Sequence, residues 1–178
     1  MKIIEPDFDV VRRVAEEATG LQAVWSHFNV RRPKRPYITV NILSHTRVNT
    51  PSRTEINDDG ELLIISDWDF SVSYQVAGDT ANHNPRSAFN LARKLQNDLD
   101  KPSVQEKLRS QNIYVRGVEM VMDNPLELDG EWQPRATLDV MFGTAGAIKD
   151  NVGVIETVSV KGKVSEKEIT FDNLEDQQ

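Results

Sequence analysis

The sequence predicts an α+β domain built on a mostly antiparallel β-sheet with a long β-hairpin arm. Three observations carry that expectation. In 69–76, Phe70, Val72, Tyr74 and Val76 alternate with Ser71, Ser73 and Gln75, the mark of a half-buried antiparallel strand. In 85–99, Ala88, Leu91, Ala92, Leu95 and Leu99 recur at the spacing of an amphipathic helix. Asn57, Asp58, Asp59 and Gly60 lie between two β-prone runs, and Asp-Gly in that setting is a strong hairpin signal.

Taken in order, a first helix is expected over 7–19. Asp7 is its cap, Val11, Val14, Ala15 and Ala18 share a face, and Gly20 suits a left-handed stop. The segment 31–36 reads Arg-Arg-Pro-Lys-Arg-Pro; two prolines three apart exclude a helix interior or a central strand, leaving an extended, exposed connector. A strand over 37–44 puts Ile38, Val40 and Ile42 on one face. With the runs on either side of Gly60 it forms the arm, about 45–66, whose distal part is polar. Asn84 and Pro85 open the second helix. Ser103 and Glu106 stand in the capping-box relation for a short third one.

Strands are then expected over 113–122 and 135–142; in the latter Ala136, Leu138, Val140 and Phe142 alternate with Arg135, Thr137, Asp139 and Met141. Turn residues fill 123–134, and 143–151 reads as a flexible joint before a last strand over 152–161. The division expected is one domain over 1–163 and an acidic, loosely ordered segment over 164–178.

Composition narrows the chemistry. With no cysteine among 178 residues, disulfides, thiolate nucleophiles and cysteine zinc sites are excluded. The first residues break every apolar run with charge, unlike a signal peptide, and no stretch reads as a transmembrane span. A net charge of −7 argues against a protein that grips nucleic acid over its whole surface. His27, His45 and His83 are scattered and form no ligand pair. Neither a nucleophile elbow nor a phosphate-cradling glycine loop is present. Asp58 and Asp59 fit a turn, and Asp67 and Asp69 flank Trp68 on one side of a strand, where a solvated strand start or a salt bridge to a neighbouring subunit is the simpler reading than a cation site. No catalytic residue, metal or cofactor is expected. Arg31, Arg32, Lys34 and Arg35 are the one electrostatic anomaly, suited to a phosphate backbone or to an acidic protein partner, the latter being favoured.

Four passages together carry a resemblance: VWSHFNVRRPKRPYITVNILS (24–44), DWDFSVSYQVAG (67–78), ARKLQNDLDKPSVQEKLRSQNI (92–113) and WQPRATLDVMFG (132–143). Their succession resembles the bacteriophage neck or tail-terminator protein family. The matching positions are Trp25, Asn29, Pro33, Pro36, Tyr37, Phe70, Val72, Gly78, Leu95, Leu99, Pro102, Ser103, Val104, Trp132, Pro134, Arg135, Ala136, Leu138 and Asp139. Arg32, Lys34 and Arg35 depart from it, standing where a proline or a neutral residue is expected.

The resemblance implies a structural virion protein, not an enzyme, with helices packed on one face of the sheet. It implies a ring of six subunits at the head-proximal end of the tail. That ring would cap the tail tube, end tail polymerisation and offer a head–tail joining surface. Implied partners are further copies of the chain, tube and sheath proteins, the head-side connector, and double-stranded DNA passing the lumen unread. Another connector or head-completion protein is the alternative, and a DNA-binding accessory protein a weaker one. The candidate subunit or tube interface is Trp25, Tyr37, Asp58, Asp59, Trp68, Trp132, Val154 and Val158.

Overall fold

A computed structural model of the chain describes residues 6–27, 32–48, 52–53, 60–80, 84, 86–128, 130–153, 160–164 and 167–171. The chain divides into two units, one of 1–52 and 65–147, the other of 53–64 and 148–178. In the first, helix α1 (Asp9–Thr19) begins where Asp7 Oδ1 accepts the Asp9 N–H at 3.0 Å. It ends at Gly20, whose φ of 74° lets its N–H reach the Glu16 carbonyl at 2.7 Å. Strand β1 (Ala23–Trp25) follows and pairs in parallel with β2 (Tyr37–Arg47). The sequence reading contains no β1, since three residues are too few to show a period.

After β3 (Ser52–Arg53), strand β4 (Glu61–Ala77) pairs antiparallel with β2, from Tyr37 opposite Ala77 to Arg47 opposite Trp68. Asp58 and Asp59, expected in a turn, lie outside the described residues. Helix α2 (Ser87–Leu99) starts from Asn84, which accepts the Arg86 N–H on its side chain and the Ser87 N–H on its carbonyl, each at 3.1 Å. Helix α3 (Pro102–Ser110) corrects the expected capping box. Pro102 already occupies the first helical turn and extended Lys101 precedes it, so Ser103 lies inside the helix.

Strands β5 (Ile113–Val118) and β6 (Met122–Asp123) divide the expected strand over 113–122. The supposed turn region over 123–134 holds a small hairpin of β7 (Leu126–Leu128) and β8 (Glu131–Gln133), with Leu126 opposite Gln133. Strand β9 (Arg135–Asn151) completes the main sheet, ordered β1-β2-β4-β9-β5, with β3 on β4 and β6 on β9. Apart from β1 on β2, its pairings of β2 with β4 and of β5 and β6 with β9 are antiparallel.

One core unites the helices with a single parity of strand residues. Val10, Val11 and Val14 of α1, Ala88, Ala92, Leu95 and Leu99 of α2, and Leu108 of α3 are buried with Ile38, Val40, Phe70, Val72, Tyr74, Val76, Leu138, Val140 and Phe142. The Tyr74 hydroxyl, wholly buried, donates to the Val11 carbonyl at 3.1 Å and so ties α1 to the sheet. Burial pushes that phenol well above its ordinary range, which keeps it a donor.

The expected flexible joint over 143–151 is strand instead. Gly143 marks a close approach. A Cβ at Gly143 would overlap the Tyr114 ring on the neighbouring strand and come 2.8 Å from Arg116 Nε. Small residues are required there because an aromatic ring lies across the strand.

In the second unit, β10 (Val160–Val164) and β11 (Lys167–Phe171) form a two-stranded antiparallel sheet with Val160 opposite Phe171. Lys149 pairs with Glu61 at 3.0 Å, and the Val152 N–H donates to the Gly60 carbonyl at 3.0 Å. Of the strand expected over 152–161, residues 154–159, with Val154 and Val158, lie outside the described residues, and pairing resumes at Val160. Within the segment expected to be an acidic tail, β11 pairs with β10.

Candidate functional site

The basic segment leads into β2, where the Arg35–Pro36 peptide bond is cis. Arg31 lies outside the described residues, and Arg32 and Lys34 are exposed. Arg35 is half-buried. It donates from Nη2 to the side-chain oxygen of Gln133, 98 residues away, while its buried Nη1 has no hydrogen-bond partner among the described residues.

That contact brings the segment to the start of β9, where Arg135 stands. Arg135 and Arg32 line one cavity of about 160 Å³, together with Trp25, Tyr37, Thr39 and Gln75. Arg135 Nε is buried and unpartnered as well. Among the described residues, neither Arg32, Lys34, Arg35 nor Arg135 has a carboxylate within ion-pair distance. Two guanidinium groups from distant stretches of chain thus line one cavity, and Arg35 reaches Gln133, two residues before Arg135. A buried donor left unpaired costs about 1–3 kcal/mol, more when charged, so the arrangement favours a ligand that accepts hydrogen bonds.

One wall of the cavity is fixed from behind. The Trp25 indole N–H donates to Asp9 Oδ1 at 3.1 Å. Asp9 in turn receives Arg12 Nε at 2.7 Å and Arg12 Nη2 at 2.9 Å. Arg12 Nη1 meets Glu16 at 2.8 Å and the Ala23 carbonyl at 3.2 Å. The Arg12 hydrogen bond, with a smaller share from Trp25, holds the Asp9 carboxyl below its ordinary value against the opposing effect of burial. Tyr37, only 6% exposed, forms the other aromatic part of the lining.

The remaining sequence candidates lie elsewhere. Trp68 is half-buried in β4, with the Arg47 guanidinium 4.9 Å above its ring and His45 beside it at 5.1 Å. Asp69, weighed as half of a cation site, accepts Arg116 Nε at 3.3 Å and is therefore part of an ion pair. Trp132 is 66% exposed on β8 and borders a second cavity of about 470 Å³ with Asp79, Arg86, Asp123, Pro125 and Pro134. Met122 and Leu126 are exposed on the neighbouring strands. Asp58, Asp59, Val154 and Val158 lie outside the described residues.

Sequence reasoning singled out the charge run but gave Arg135 no functional role. It saw that residue as the outward member of an alternating strand and as a position of the resemblance. The signal available was its place three residues after Trp132, yet only the sheet order brings it to Arg32.

No helix among the described residues is long and apolar enough to cross a membrane. A search of curated proteins finds no match. One solved structure aligns with 76% of this chain and 94% of its own, at 16% identity and a TM-score of 0.36. The model of the phage neck terminator protein family matches residues 9–168, a span holding α1, the whole main sheet and the arginine-lined cavity. The chain belongs to that family, and so is a structural, tail-terminating protein of the virion neck.

Proposed function

We propose that the chain assembles into a closed ring, of six copies, that seats on the end of the tail tube, stops its growth and offers the surface to which the head-side connector joins. Membership of the neck terminator family over 9–168 is the observation that carries this reading. A ring of this kind needs head-to-tail contacts whose rotation closes. The segment 45–66 serves as an arm reaching a neighbour, and strand addition supplies one physical route to that contact. Exposed apolar side chains at Met120, Met122, Leu126 and Trp132 supply surface for packing between proteins. Tail growth stops because one face of the ring resembles the next tube layer and the other recruits none. The genome passes through the lumen without being read.

The test is to image the purified chain alone and with its cognate tail tubes while measuring its mass by light scattering. Rings seated on tube ends are expected. Removing residues 48–61 is expected to abolish capping and leave a folded subunit. A deletion variant that still caps overturns the arm's role, and a wild-type chain that ignores tube ends overturns the ring.

A further inference from the structure

The arginine-lined cavity has the chemistry of a binding site: its lining holds no carboxylate, and among the described residues neither Arg32 nor Arg135 has an ion-pair partner. We propose that it seats a carboxylate side chain carried on an acidic peptide segment of an adjoining protein, held by Arg32 and Arg135 with Arg35 alongside. This rests on the proposed reading that the chain works by docking onto other virion subunits, and it adds Arg135 and a ligand class to that reading.

Three observations select a protein carboxylate. The cavity, about 160 Å³, has room for one side chain. Among the described residues Arg135, on the lining, keeps a buried Nε without a partner, as Arg35 keeps its Nη1, and the edge of a guanidinium matches a carboxylate in a parallel, two-bond fork. The chain carries a net charge of −7, which repels a duplex with its closely spaced phosphates far more than it repels one short acidic segment. The site is also built to hold still. Trp25 is pinned through Asp9 to Arg12, and the sole side-chain hydrogen bond described for Arg35 is to Gln133. A wall fixed in advance lowers the ordering cost of binding.

The probe is an end-blocked peptide Asp-Asn-Leu-Glu-Asp, the chain's own acidic stretch at 172–176, with Asn-Asn-Leu-Gln-Asn as its neutral control. Titrations follow the arginine side-chain N–H signals of the full-length, nitrogen-labelled chain. Saturable shifts are expected at Arg32 and Arg135 with the acidic peptide and not with the control, while Arg12 stays unmoved. Arg135→Gln is expected to weaken binding by about tenfold or more, and Arg135→Lys, which keeps the charge and loses the fork, by an intermediate factor. No saturable shift, an equal response to both peptides, or indifference to Arg135→Gln overturns the proposal. So does a short DNA duplex that displaces the peptide through the same arginines with an affinity falling steeply in salt. Tube capping is measured separately. Peptide binding without capping breaks the ring reading and leaves this site standing, whereas capping without peptide binding breaks the site alone.

Discussion

Two arginines connected to the same indole, one through Asp9 and one across a cavity, have opposite fates. Arg12 finds Asp9, Glu16 and the Ala23 carbonyl within its own neighbourhood, and every arm of its guanidinium is engaged. Arg135 reaches a cavity lined by a second arginine and keeps a buried nitrogen unpaired. The side chains are chemically identical, so the surroundings decide their roles. A saturated guanidinium fastens the fold; an unsaturated one is a place to bind. Burial of charge is tolerated in the first case because the partners repay desolvation, and in the second it leaves a cost that a ligand can remove.

The largest effect expected from breaking this contrast is at Arg12. Arg12→Ala removes the partner of Asp9 and loosens Trp25, and urea denaturation is expected to show a loss of about 2–3 kcal/mol. Next comes Gly143→Ala, which probes a third arginine, Arg116, stacked 4.6 Å from the Tyr114 ring and paired with Asp69. The added methyl drives ring and guanidinium outward, at a cost of about 1–3 kcal/mol in the same measurement.

A smaller effect follows from protonation. Asp9 is more acidic in the folded chain than its ordinary value of 3.8, chiefly through Arg12, so the unfolded chain takes up that proton first as pH falls. Its stabilisation is complete above that value and drains away as pH drops through the folded one. Thermal melts between about pH 5 and pH 2 are expected to show a shallower decline in Asp9→Asn than in the wild type. The smallest change belongs to Arg135→Gln, expected at or slightly above wild-type stability, because among the described residues no ion pair is lost and an unpaired buried donor is removed. A loss there as large as that of Arg12→Ala would make Arg135 a structural residue and erase the contrast.

Much of the scaffold was legible because its signals are local. The stripes of α1 and α2 and the alternation through Tyr74 and Leu138 appear as expected in the buried core. What escaped depends on residues far apart in sequence. Strand β9 reads as a joint after Phe142 because Gly143 and Gly146 look like punctuation, whereas the Tyr114 ring that leaves no room for a Cβ at Gly143 lies far off in sequence. Hairpin β7–β8 looked like turn residues, and β1 was too short to read. The site divides the same way. Four adjacent positive charges announce themselves, but the meeting of Arg32 with Arg135 is created by sheet order, and no run of residues encodes it.

The placement of Trp132 also gives the molecule an optical handle. Of its three indoles, Trp25 and Trp68 are sheltered within hydrogen-bonded or stacked surroundings, whereas Trp132 stands 66% in water on β8. Water-relaxed emission is therefore dominated by one side chain at one known position. A contact that covers hairpin β7–β8 buries the most exposed indole and shifts the fluorescence to the blue, so the wild-type chain reports without a label when that surface has been claimed.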